Sequence, residues 1–171
     1  RIVYQELQRI NVAIRTGELA SNAVLQETFN YAKDKDKALH LIGLVSDGGV
    51  HSHITHLKAL TQIAKEKGLT KVYIHAFTDG RDTDPKGGLG YFADLLPHLA
   101  QTTGQVASIT GRYYAMDRDK RWERVKLAYD ALVNGTGTPA TDVLAAVKAS
   151  YEAGVTDEFI KPVIITDAAG K

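Results

Sequence analysis

The sequence predicts an α/β domain: a mainly parallel sheet sandwiched between helices, in a single domain. Three apolar runs carry this reading. Leu39 to Val45, Lys71 to Phe77 and Gln105 to Thr110 are too short for core helices, and each gives way to a polar loop that leads into a segment of helical periodicity. Parallel strands need a helix to cover each right-handed crossover, so this alternation points to a sheet with helices on its faces. A length of 171 residues suits one core.

The elements follow in order. Leu7, Ile10 and Ile14, then Val24, Leu25, Phe29 and Ala32 after a break at Gly17 and Ser21-Asn22, predict two opening helices before Asp36. The first strand is closed by Ser46-Asp47-Gly48-Gly49. The helix after it buries Ile54, Leu57, Leu60 and Ala64 and ends in a basic turn at Lys65 to Lys67 followed by Gly68. A second helix is expected over Leu89 to Leu99, with Pro97 near its end, and a third from about Asp119 to Val133. A Gly/Thr/Pro linker at 134–141, an amphipathic segment from Asp142 to Tyr151 and a short strand from Val163 to Thr166 complete the chain. There is no internal repeat and no low-complexity tract.

Composition narrows the function. Lys and Arg number 21 against 20 Asp and Glu, a formal net charge of +1, so the basic excess of a nucleic-acid-binding protein is missing. Cysteine is absent, which removes disulfides and thiolate metal sites and suits the cytoplasm. No apolar run approaches the roughly 18 residues of a membrane span, and no signal-peptide order opens the chain. The start at Arg1 and the stop at Ala168-Ala169-Gly170-Lys171 read as cuts from something longer.

In a parallel sheet, ligands sit beyond the carboxyl ends of the strands, so the residues after each apolar run matter most. They are Ser46-Asp47-Gly48-Gly49-Val50-His51-Ser52-His53, Thr78-Asp79-Gly80-Arg81-Asp82-Thr83-Asp84-Pro85 and Gly111-Arg112-Tyr113-Tyr114-Ala115-Met116-Asp117-Arg118-Asp119. Arginines gathered at one rim suit a small, multiply charged anion, because the guanidinium grips phosphate or carboxylate through paired hydrogen bonds. A helix starting near Asp119 would add its positive end. Plainer roles stand beside these. Asp47, Asp79 and Asp119 read as caps of turns and helix starts. His53 and His56 read as solvated or packed, and His51 is either functional or a satisfied loop histidine. Arg81 next to Asp82 also fits a surface pair. The run Arg118 to Arg124 reads mostly as a solvated helix face with Trp122 packed beneath, from which only Arg112 and Arg118 stand apart; Tyr113 and Tyr114 shore up the loop. Neither G-x-G-x-x-G nor a Walker sequence is present.

These three motifs, in this order, resemble the transferase domain of the cofactor-independent phosphoglycerate mutases, and the likeness extends to an opening helix at Arg1-Ile2-Val3-Tyr4-Gln5. The resemblance implies that residues 1–171 are the phosphotransferase, substrate-binding part of a larger two-domain isomerase that interconverts 2-phosphoglycerate and 3-phosphoglycerate in glycolysis. It implies that His51, Arg81, Arg112 and Arg118 bind the phosphate and carboxylate, and that Asp82 both contacts substrate and moves the hydroxyl proton. It also implies a serine nucleophile and two manganese ions in a phosphatase-like domain absent from this chain, with no metal held here. That family's nucleophile, its Asp/His metal ligands and a further arginine pair have no counterpart in the sequence, and Ser46 and Ser52 do not replace the nucleophile. The expectation is therefore a chain inactive alone. Two rivals remain: a metal-dependent hydrolase built on Asp47, His51, His53, Asp79 and Asp82, and a phosphate- or carboxylate-binding module without turnover.

Overall fold

The computed structural model describes residues 3–170. Seven α-helices and a five-stranded sheet make up the described part. The opening helices are α1 (Glu6–Thr16) and α2 (Ala23–Asp34), joined by a 3-10 turn. Residues 3–5 precede α1, so the expected start of that helix moves to Glu6; Arg1 and Ile2 lie outside the described residues. Strand β1 (Leu39–Leu44) leads through the first polar loop into α3 (Ile54–Glu66). Strand β2 (Val72–Thr78) leads into α4 (Gly88–Gln101). Pro97 does not end α4. A proline inside a helix forfeits one backbone bond, and the packing of Phe92, Leu95 and Leu99, all buried, carries the helix past it.

Strand β3 (Gln105–Gly111) runs directly into a short helix, α5 (Arg112–Ala115), where the sequence suggests only loop. Helix α6 (Trp122–Asn134) starts three residues later than Asp119. The linker contributes β4 (Thr138–Ala140), and α7 (Val143–Glu152) precedes β5 (Val163–Ile165). Strand order is β1-β2-β3-β5-β4. Pairs β1/β2, β2/β3 and β4/β5 are parallel, and β3/β5 is antiparallel, so the mainly parallel sheet holds.

The main core lies where α3, α4 and α7 cover the sheet: Ile54, Phe92, Leu95 and Val147 meet Ile74, Ala76, Val106 and Ile109. A second cluster, with Phe29 and Ala32 of α2 against Leu39, Ile63 and Val72, closes the end where the strands begin. The register between β2 and β3 shifts after Ile74, and this is why Val106 and Ile109, three residues apart, both face the same core. The sheet also carries a polar row across three strands. His40 Nδ1 lies 2.9 Å from His75 Nε2, and His75 Nδ1 lies 2.8 Å from Ser108 Oγ. Burial, and then the neighbouring His40, hold His75 below the usual histidine range, so it sits there neutral. No described helix is long and apolar enough to cross a membrane.

Candidate functional site

Because β1, β2 and β3 are neighbours and parallel, their carboxyl ends open on one edge and the three polar loops meet there. Asp79 is the hub. It is buried, and its Oδ1 turns the loop after β2 by accepting the amides of Arg81 (3.2 Å) and Asp82 (2.9 Å). The same oxygen receives Arg112 Nη1 at 2.7 Å, while Ser46 Oγ, also buried, donates to Oδ2 at 2.7 Å. The reading of Asp79 as a turn cap therefore holds, but it also anchors an arginine from the third loop. Burial pushes its carboxyl upward; the hydrogen bonds from Ser46, the Asp82 amide, Arg112 and the Arg81 amide outweigh that and keep it below the usual carboxylate range.

Arg112 opens α5 and is almost wholly covered. Its Nη1 also donates to Asp82 Oδ2 at 2.6 Å, and its Nη2 lies 3.2 Å from His51 Nε2. His51 Nε2 and Asp82 Oδ2 are 3.7 Å apart. Since a guanidinium only donates, the short approach assigns His51 Nε2 the acceptor role and leaves its proton on Nδ1. Residues far apart in sequence thus form one contiguous set: His51, Asp79, Asp82 and Arg112.

Beside this set lies a cleft of about 480 Å³ lined by His51, Arg81, Arg112 and Arg118 together with Arg124 and Glu158. Four of the five residues expected at the site therefore share one cleft; the fifth, Asp82, does not line it and is joined to it through Arg112, which donates to its Oδ2. A larger cavity of about 860 Å³ lies between α4, α6 and β3, with no arginine or lysine among the described residues lining it, so size alone does not single out the arginine-rich edge.

Several expectations change. Arg81 pairs across the cleft with Glu158 at 3.4 Å rather than with its neighbour Asp82. Arg124 is not part of a solvated face: it lines the cleft, reaches Asp117 at 3.1 Å and Asp119 at 3.4 Å, and lies 4.0 Å from the centre of the Tyr113 ring. Trp122 is 73% exposed, so it does not pack beneath the helix. The N-terminal end of α6 is already served by a carboxylate, because Asp117 Oδ2 accepts the amide of Arg121 at 2.9 Å. His53 caps α3 through the Thr55 amide, and His56 Nε2 meets Asn11 Oδ1 at 2.7 Å, in line with packed, structural roles.

The residues that sequence reasoning missed sit in the 3-10 turn Asp157–Phe159. Asp157 is buried, accepts the Gly88 amide at the start of α4 at 2.7 Å and the Tyr151 hydroxyl, and its carbonyl receives Thr78 Oγ1 at 2.7 Å. Glu158 then faces Arg81, and Phe159 lines the cleft. No local signal marks this turn as part of the site, because it arrives from nearly eighty residues away. The signal that exists is glycine. At Gly80, with φ of 66°, an added Cβ would stand 2.9 Å from Asp157 Cβ and from the Glu158 amide. At Gly111 it would stand 2.3 Å from the Glu158 carbonyl oxygen. Both loops need glycine because this turn presses against them.

The charges nearly cancel. Arg81, Arg112 and Arg124 are each matched by Glu158, by Asp79 and Asp82, and by Asp117 and Asp119. Arg118 is exposed and has no ion pair among the described residues, which leaves it the least compensated of the cleft's arginines. The hydrolase set fails on geometry. Among the described residues no group of three or more His, Asp or Glu side chains converges on a metal position. Asp47 instead receives the Tyr91 hydroxyl, and a cation between Asp79 and Asp82 would meet the Arg112 guanidinium.

Residues 10–171 match the family described as the BPG-independent PGAM N-terminus. The chain belongs to this family. It is 58% identical over its full length to the 2,3-bisphosphoglycerate-independent phosphoglycerate mutase of Flavobacterium johnsoniae, covering 34% of that protein. It is 57% identical over 96% of its length to the enzyme of the same name from Parabacteroides distasonis, covering 32%. A crystal structure of Leishmania mexicana phosphoglycerate mutase, obtained at low cobalt concentration, superposes with a TM-score of 0.93 at 29% identity, over all of this chain and 33% of that one. The chain thus spans about a third of the length of the relatives it matches. The family suggested by the three loop motifs is the one found.

Proposed function

We propose that this chain is the substrate-holding part of a 2,3-bisphosphoglycerate-independent phosphoglycerate mutase, an isomerase of glycolysis that interconverts 2-phosphoglycerate and 3-phosphoglycerate in the cytoplasm. The observation that carries the reading is the shared cleft of His51, Arg81, Arg112 and Arg118, with Arg118 free of a counter-ion among the described residues. In this reading Arg118 and the exposed side of Arg81 receive the phosphate and carboxylate, and His51 and Arg112 form the floor. Asp82, its Oδ2 held by Arg112, is the carboxylate that accepts and returns the proton of the glycerate hydroxyl. Phosphoryl transfer asks chiefly for positioning and charge compensation, which suits such a constellation.

The nucleophile and two manganese ions are assigned to a phosphatase-like part outside this chain. Ser46 fits no such role: it is buried and its hydroxyl is engaged by Asp79. The chain by itself accordingly binds without turnover. Because its own carboxylates already balance most of its arginines, binding is weak. Two or three partly exposed anion contacts, less the cost of holding the ligand, give a dissociation constant on the order of a millimolar.

Titrating 3-phosphoglycerate into the 171-residue chain while recording amide shifts tests this. Saturable movement of the His51 loop, Arg112 and Arg118, weaker as salt rises, is expected. Arg118→Ala should weaken binding about fivefold or more without altering the melting temperature, since that side chain supports nothing else. Equal binding by Arg118→Ala and the parent, or turnover by the pure chain, would overturn the proposal.

A further inference from the structure

Arg124 stands among the cleft arginines but faces two carboxylates and an aromatic ring, and what it holds is more informative than what it faces. Asp117 links it to the turn before α6. The Asp117 side chain is 1% exposed, and its Oδ2 accepts the amides of Asp119 (3.2 Å) and Arg121 (2.9 Å) while Oδ1 accepts Arg124 Nη1 (3.1 Å). Those two amides flank Lys120, whose φ of 59° lies in the left-handed region that a side chain disfavours. A conformation of this kind persists only where its surroundings impose it, and here the imposing group is a buried carboxylate. Arg118 lies in the same turn. Its side chain has no hydrogen bond or ion pair among the described residues, so no polar partner holds it and the backbone of this turn sets where it starts from.

We propose that Arg124 is a positioning residue: clamped between Tyr113 and Asp117, it fixes the 117–121 turn and thereby aims Arg118 into the cleft. The functional consequence rests on the phosphoglycerate reading above, whereas the geometry does not. The chemistry calls for arginine. Its guanidinium carbon lies 4.0 Å from the Tyr113 ring centre while Nη1 alone reaches both Asp117 Oδ1 and Asp119 Oδ2; a lysine ammonium can meet the carboxylates but has no planar group to lie over the ring at the same time. Tyr113 is itself held edge-on by Tyr114, with ring centres 5.2 Å apart, and packs against Phe159 at 5.1 Å, so the clamp is tied to the turn that carries Glu158. Arg124 is neutralised twice over, which argues against its being one more contact for an anion.

The experiment compares the 171-residue chain with Arg124→Lys, Arg118→Ala and the double variant. It measures two things: amide hydrogen exchange at Asp119 and Arg121 without ligand, and 3-phosphoglycerate affinity by amide shifts. In Arg124→Lys, which keeps the charge, both amides should lose protection and affinity should fall about three- to tenfold. In the Arg118→Ala background the same change should cost nothing further, because the lost contact is already gone. Additive losses would show Arg124 touching the anion itself and would overturn the proposal. Unchanged protection of the two amides would overturn it whatever the ligand does. If the parent binds no 3-phosphoglycerate, the functional reading fails on its own account, and amide protection alone then decides whether the clamp exists.

Discussion

Replacing Asp79 by alanine removes the group on which the site turns, and the structure allows the cost to be worked out. The carboxylate is 2% exposed and accepts four hydrogen bonds, from Ser46, Arg112 and the amides of Arg81 and Asp82. Breaking a buried ion pair by deleting one partner costs about 3–5 kcal/mol, since the other charge is left without compensation. Arg112 retains Asp82 at 2.6 Å, which places the expected loss at the lower end, about 3 kcal/mol. For a domain of this size that corresponds to a fall in melting temperature of about 6–12 °C. Asp79→Asn, which keeps the volume and one acceptor oxygen, should lose less.

The pH dependence gives a second check. The folded-state carboxyl is held below its ordinary value, so its contribution is present above the unfolded pKa and is lost as pH falls through the lower, folded one. Circular-dichroism melts of parent and Asp79→Ala should therefore differ fully at pH 7 and converge only in strong acid. A difference within about 0.5 kcal/mol at pH 7, or one that vanishes already near pH 6, would refute the placing of a charged Asp79 at the hub.

Two further outcomes follow from local geometry. Gly111→Ala drives a methyl group to 2.3 Å from the Glu158 carbonyl and 2.7 Å from the Ile160 amide, so the Asp157–Phe159 turn must shift; a loss of about 1–3 kcal/mol in denaturant unfolding is expected, with displaced Arg81 and Glu158 signals. Asp142→Ala removes the acceptor that caps α7 through the Ala145 amide at 2.6 Å, far from the cleft; it should cost about 1 kcal/mol in the same assay and leave phosphoglycerate binding unchanged.

The alternation of apolar runs and amphipathic segments determined the α/β class, because burial on both faces of a parallel strand and on one face of a helix leaves a periodicity in the chain itself. The three loop motifs likewise determined the family, and strand ends fix which loops share an edge; naming His51, Arg81, Asp82, Arg112 and Arg118 as site candidates came from the resemblance those motifs carry, since pattern alone left His51 and the Arg81-Asp82 pair open. Pairing was decided elsewhere. Arg81 faces Glu158 rather than Asp82, Arg112 is shared by Asp79 and Asp82, and Arg124 belongs to a clamp rather than to a solvated face. Local pattern can place a charge at a rim, but whether it is free or engaged depends on which distant segment arrives opposite it. Here that segment is the Asp157–Phe159 turn, brought to the cleft between α7 and β5; only the structure shows that it presses on Gly80 and Gly111 and leaves no room for a side chain at either. Composition gave a net charge of +1 for the chain; only the fold decided that the cleft's own carboxylates offset most of its arginines and leave Arg118 without an ion pair among the described residues.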